Sequence, residues 1–200
     1  YIVPGQNEDV IISSRLRVCR NLSDFMFPHK LISEEKDRIK SLLIEAINFD
    51  NNKNLNFDFV DVSQLSDQGK MILMERNILS MEECQALFVS ETGNFFCRIN
   101  ETDHVKLAGY KSGLNFQPLF EELYFIDEKM QEKVQYAANF NFGYINSSIN
   151  NTGTGLKCSF WCYIPAIVFS KSLEEIEKIV LEKNCILKPA VQNKYKHDFP

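Results

Sequence analysis

Two clusters of residues in this chain are suited to holding a polyanion. The first is Ser13-Ser-Arg15-Leu-Arg17, whose arginines stand two apart, so that in an extended strand both project to one face. The second is the polar stretch over residues 146–159, which carries Gly153, Gly155 and Lys157. Its glycines permit a sharp turn and a close backbone approach to a ligand. A cation just past such a turn is a natural partner for phosphate. An ordinary turn and a pair of solvated arginines are the plainer reading of either piece alone.

These residues need a scaffold, and the periodicities supply one. Residues 10–13 read as a short strand ending in a polar, cationic turn. Ser33 with Glu34 and Glu35 marks a helix start, with Ser33 as N-cap. Ile39, Leu42, Leu43, Ala46 and Ile47 then form a helical apolar stripe. An asparagine-rich loop over 50–56 precedes the alternating strand 57–62. Helical segments follow at 66–77 and, more briefly, at 81–86. Residues 87–90, 95–100 and 104–110 read as an antiparallel meander.

The clearest helix covers 115–139, where Phe116, Leu119, Phe120, Leu123, Met130, Val134 and Ala137 share a face. Strands at 141–145 and 156–163, a helix at 172–182 and a last strand at 186–188 complete the chain. Runs of strands with helices interspersed predict an α+β fold with a largely antiparallel sheet flanked by helices.

At 200 residues, with 44% hydrophobic and 24% charged positions, the chain has the composition of one globular domain with a core of its own. It contains no repeat and no linker. No apolar run is long enough to cross a bilayer, and the start lacks a basic-then-apolar leader, so a cytoplasmic protein without membrane contact is expected. The net charge of −5 argues against a general nucleic-acid binder. The six cysteines fit neither zinc spacing nor a disulfide framework and read as buried free thiols. Cys158 and Cys162, for instance, would lie about 13 Å apart on one strand face.

Three further pieces, Cys97-Arg-Ile-Asn-Glu-Thr-Asp-His-Val-Lys-Leu107, Phe142-Gly-Tyr-Ile and Asn151-Thr-Gly-Thr, join the segment 10–22 in a fixed order. Together they resemble the ATP:guanidino phosphotransferases (phosphagen kinases), nearest the bacterial protein-arginine kinase branch, over residues 10 to 193. The resemblance implies the glutamine-synthetase-like catalytic domain of that family, an antiparallel sheet lined on one face by the active site. It implies a single domain over 1–200 that lacks the C-terminal end of that fold and has no N-terminal helical domain. It also implies Mg-ATP or Mg-ADP as ligand, with no metal held by the protein itself.

Transfer of a phosphoryl group to a guanidinium requires cations around the triphosphate and a carboxylate that aligns and deprotonates the acceptor. The resemblance assigns Ser13, Arg15, Arg17, Asn77, Lys106, Lys157 and Lys188 to the nucleotide phosphates. Asn77 stands where the family has a histidine, and the three lysines stand where it has arginines. The family's two catalytic carboxylates fall at Thr102 and Asn193, and its loop cysteine at Ser148. A threonine hydroxyl is no base near neutral pH. Glu101 and Asp103 are possible substitutes, although strand alternation turns them to the opposite face unless a bulge intervenes. His104 and Trp161 also fall near the site face. His104 is expected to give hydrogen-bonded support, and Trp161 to pack in the core.

Charge is thus kept where bidentate geometry is lost, and both carboxylates become neutral. The expected function is a degenerate, pseudokinase-like domain that binds nucleotide, phosphoarginine or a protein partner such as an arginine kinase or its substrates. The alternative is an active kinase phosphorylating arginine, free or in proteins, and the plainest reading is a scaffold without a ligand.

Overall fold

The computed structural model describes residues 5–49, 55–80 and 84–189. Its centre is a six-stranded antiparallel sheet. In chain order the strands are β1 (Ile11–Arg20), β2 (Phe57–Asp61), β3 (Ala86–Ser90), β4 (Phe95–Ile99), β5 (Val105–Ser112) and β8 (Leu156–Cys162). Spatially they run β2-β3-β4-β5-β1-β8, while β6 (Ala138–Asn139) and β7 (Gly143–Tyr144) form a small separate hairpin.

One face of the sheet is the core. Leu16, Val18, Phe88, Phe95, Cys97, Ile99, Val105 and Leu107 point to it and are buried. Helices α1 (Ser33–Ile47) and α3 (Phe116–Gln131) cover this face. They present Ile39, Leu43, Ala46, Leu119, Leu123 and Met130 of the apolar stripes visible in the sequence, joined by Ile126. Gly109 belongs to the same packing, because a Cβ there would drive into the ring of Phe95 and into Leu119.

The other face carries a smaller apolar cluster, Ile78, Leu87, Phe96, Ala108 and Tyr110. Leu73 of α2 (Asp67–Glu75) packs on it. This cluster occupies the β3–β5 side of the sheet. Beside it, towards β1 and β8, the alternating positions are cationic instead.

Several boundaries differ from the sequence expectations. β1 is ten residues long and runs through Arg15 and Arg17 rather than turning before them. The alternation of buried Leu16 and Val18 with those arginines keeps the strand going. α1 begins at Ser33, but its N-cap is Ile32, whose backbone N–H donates to Glu35 Oε2 at 3.2 Å. α3 stops at Gln131, and the residues beyond it turn into β6.

At the C-terminal side, α4 (Pro165–Phe169) was not expected, α5 (Leu173–Glu182) was, and residues 186–188 form no strand. Of the short helix expected at 81–86, residues 81–83 lie outside the described residues and Ala86 opens β3. The cysteines are free, yet Cys158 and Cys162 of the edge strand β8, and Cys185 in the coil after residue 182, are exposed rather than buried. Trp161 is likewise 43% exposed and not a core residue. Among the described residues no helix is long and apolar enough to cross a membrane.

Candidate active site on the cationic face of the sheet

Register places the candidate cations side by side. Arg15 of β1 lies opposite Tyr110 on β5 and Ser159 on β8, while Arg17 lies opposite Ala108 and Lys157. Lys106 is opposite Cys19 on one side and Arg98 of β4 on the other. Directly paired residues in an antiparallel ladder share a face, so Ser13, Arg15, Arg17, Arg98, Lys106 and Lys157 all project from the surface opposite α1 and α3.

Aromatic rings support two of the guanidinium groups. Arg15 lies 5.1 Å from the centroid of Tyr110, and Arg98 lies 5.4 Å from that of Phe96. Arg17 donates from Nη2 to Asn151 Oδ1 at 3.2 Å, and its buried Nε has no hydrogen-bond partner. Partial burial, and then the charges of Arg17, Lys188 and Arg15, hold Lys157 below the ordinary lysine range. Lys188, placed on a coil rather than a strand, therefore joins the group electrostatically. Like charges gathered on one face favour an anion between them.

The carboxylates are arranged differently from expectation. Asn100 takes a left-handed conformation (φ 54°), which breaks the strand alternation after Ile99. Glu101 consequently returns to the cationic face. Its side chain is fully buried and receives Arg98 Nη1 at 2.5 Å, Lys106 Nζ and Ser80 Oγ. Burial raises the Glu101 pKa, but Arg98, Lys106 and Ser80 outweigh it and hold the carboxyl below its usual range. Arg98 also donates to the Asn77 carbonyl at 3.4 Å, so the exposed Asn77 borders the cluster through its backbone.

Asp103 does turn away. Its Oδ1 accepts from Asn21 Nδ2 and from the Ser147 backbone N–H, each at 2.8 Å. Ser147 Oγ donates to the Thr102 carbonyl at 2.6 Å. This staple brings the loop carrying Ser148 against the loop carrying Thr102, and both Ser148 and Thr102 retain solvent access. His104 has a purely supporting place. Nδ1 accepts from the Leu22 N–H at 3.0 Å and Nε2 faces the Met26 carbonyl at 2.8 Å, which fixes the neutral Nε2–H tautomer. Burial pushes its pKa down to about 4.

Two expectations need correction and one cannot be placed. Gly155 is required by the chain's own backbone rather than by a ligand, while Asn151 of the same loop reaches Arg17 on the cationic face. A Cβ on Gly155 (φ 64°) would sit 2.6 Å from the Cys19 carbonyl oxygen, and Gly153 pairs with Tyr144. The close approach is to the chain's own backbone. Glu101 shares the face it was expected to leave. Asn193 lies outside the described residues. The sequence reading also passed over Arg98 and Ser80. The signal for Arg98 was present in Phe-Phe-Cys-Arg-Ile, where an arginine interrupts a buried strand.

The family model for the C-terminal catalytic domain of ATP:guanido phosphotransferases matches residues 38–195. The chain belongs to this family. It is 32% identical over 173 residues to a protein-arginine kinase of Syntrophomonas wolfei, covering 83% of this chain and 48% of that protein. To a protein-arginine kinase of Geobacillus stearothermophilus it is 30% identical over 178 residues, covering 86% and 49%. The chain thus spans about half the length of the curated relatives it matches.

The fold of this guanido phosphotransferase domain is similar to that of the substrate-free duplicated taurocyamine kinase from Schistosoma mansoni. The TM-score is 0.80 at 18% identity, over 99% of this chain and 30% of that one. A lombricine kinase structure gives 0.75 at 20% identity, over 89% and 55%. The antiparallel α+β architecture is that of phosphagen kinases.

Proposed function

We propose that this domain binds a nucleotide through its phosphates on the cationic face and that phosphoryl transfer from it is lost or impaired. The observation that carries the reading is the condition of Glu101. A base acting on a guanidinium, whose pKa lies above about 12, must be free to approach it and basic enough to accept its proton. Glu101 is buried, held by Arg98, Lys106 and Ser80, and shifted towards weaker basicity. Asp103 is committed to Asn21 and Ser147, and Thr102 supplies only a hydroxyl.

Phosphate binding needs less. Arg15, Arg17, Lys157 and Lys188 keep four positive charges within mutual influence. The partly exposed guanidinium groups of Arg15 and Arg17 keep forked N–H donors for phosphate oxygens. Among the described residues no three His, Cys, Asp or Glu side chains converge as metal ligands. In this proposal the Mg²⁺ of Mg-ATP or Mg-ADP arrives on the nucleotide's phosphate oxygens. A domain of this kind would act as a regulator, by retaining nucleotide or phosphoarginine or by engaging an arginine kinase.

The second reading, an active kinase directed at free or protein arginine, is favoured by the kinship to protein-arginine kinases. Calorimetric titration with Mg-ATP, followed by a phosphoarginine assay on the same sample, separates the two. Binding without turnover supports the proposal. Turnover in the unaltered protein at the rate of an active arginine kinase assayed alongside overturns it and supports the kinase. Thr102→Glu is expected to raise phosphoarginine formation above that background.

A further inference from the structure

The cations of the sheet face differ in the chemistry they permit. Arg15 and Arg17 carry guanidinium groups, which stay protonated and delocalised and make poor nucleophiles. Lys157 carries an amine, which becomes a nucleophile once it loses its proton. Lys106, on β5 of the same face, is committed to the Glu101 carboxylate. Lys157 is solvent-exposed, and among the described residues no hydrogen bond or ion pair engages its amine.

The register puts that amine among like charges. Lys157 stands directly opposite Arg17. Opposed residues of an antiparallel ladder have Cα atoms about 5 Å apart, and like charges set this way repel. The side-chain partner of Arg17 is the neutral amide of Asn151, and Arg15 projects from β1 two positions away. Desolvation, and then the charges of Arg17, Lys188 and Arg15, hold the Lys157 pKa below the ordinary lysine range. More of this amine is therefore neutral than in an isolated lysine. Two events relieve the repulsion: an anion settling between the cations, and loss of the lysine charge. A molecule that joins a phosphate to a reactive carbonyl supplies both.

We infer that Lys157 is an acylation site whose reagent is an acyl phosphate. The inference rests on the reading that this face takes phosphate groups. Arg17, with the charge of Arg15 beside it, holds the phosphate and sets the carbonyl carbon, one oxygen removed from phosphorus, beside the amine. The neutral Nζ attacks that carbon. An N–C amide bond forms, the C–O bond to the phosphate breaks, and its electron pair leaves on the phosphate oxygen. The proton displaced from Nζ passes to the released phosphate, and no further reactant is consumed. The amide is uncharged, so the modification removes one of the cations offered to a nucleotide and weakens the same face for polyphosphates.

The experiment incubates the protein with acetyl phosphate and measures acetylation at each lysine by mass spectrometry of a digest. Acetic anhydride, which carries no phosphate, gives the intrinsic reactivity of each amine. Relative to the anhydride, acetyl phosphate should favour Lys157 over Lys133, an exposed lysine just past α3, by about tenfold or more, because a cationic face concentrates an anionic reagent. Inorganic pyrophosphate should abolish that preference, and so should Arg17→Ala. A preference no greater than at Lys133, or one that pyrophosphate leaves intact, would overturn the inference. The pyrophosphate arm uses the unaltered protein, so it decides the matter even where Arg17→Ala misfolds. Calorimetry with Mg-ATP on the same sample keeps the two readings apart. Mg-ATP binding without selective acetylation defeats this inference alone, whereas selective acetylation without Mg-ATP binding sustains it and defeats the nucleotide.

Discussion

Acidification should destabilise this domain through one imidazole. His104 is buried and neutral, accepts from the Leu22 N–H, and donates to the Met26 carbonyl. Its folded pKa, about 4, lies below the ordinary value of 6.5 because burial disfavours the charged ring. The unfolded chain therefore takes up a proton first as pH falls. The stability that His104 contributes is complete above the unfolded pKa and declines as pH drops towards the folded one. With those two values the loss is about 2 kcal/mol at about pH 5 and about 3 kcal/mol at about pH 4.

His104→Asn isolates the effect from the carboxylates that titrate lower. The asparagine oxygen still accepts from Leu22 but the donor to Met26 is gone, so the variant begins about 1 kcal/mol less stable near neutral pH. Because it lacks the titration, the deficit should close and then reverse by about pH 5. Urea unfolding followed by circular dichroism at both pH values measures the crossing, and an imidazole NMR titration reads the pKa directly. A deficit that stays constant between the two pH values, or an imidazole titrating near 6.5, would refute the argument. The loop that His104 anchors also carries Thr102, so protonation would unmoor the site along with the fold.

Three other perturbations have definite outcomes. Glu101→Gln leaves Arg98 and Lys106 facing each other without their carboxylate and should cost about 3–5 kcal/mol in denaturant unfolding; a loss below about 1 kcal/mol would mean the cluster is solvated. Arg17→Ala should weaken Mg-ATP binding about tenfold by calorimetry, whereas Lys111→Ala, which breaks only the surface pair with Glu122, should leave it unchanged. Gly155→Ala forces a side chain into a left-handed residue against the Cys19 carbonyl and should lower the thermal midpoint by the equivalent of about 2 kcal/mol.

The helices and the central meander were legible because burial imposes a period. Leu119, Leu123, Ile126 and Met130 had to share a face, and Phe95, Cys97 and Ile99 had to alternate with their neighbours. What the sequence concealed is where a local conformation overrides the period. Asn100 reverses the direction of Glu101 by a single left-handed residue, which no alternation rule anticipates. β1 looked short because Arg15 and Arg17 resemble turn residues until Leu16 and Val18 are counted against them. The two glycines pointed to a ligand, and the object they approach turned out to be Cys19 and Tyr144. The pairing of Arg20 with Asp127, 107 residues apart, carries no local signature at all.

β1 has one further implication, for measurement. Its odd positions hold the cations and its even positions, Leu16 and Val18, hold the core, so a one-residue slip would exchange one set for the other. No partly folded form can keep the proposed anion site while giving up the hydrophobic layer beneath it. Ligand occupancy and foldedness are therefore two readings of a single equilibrium. Any polyphosphate that binds this face should raise the melting temperature in proportion to the logarithm of its concentration, which makes a thermal-shift screen a direct route to the natural ligand.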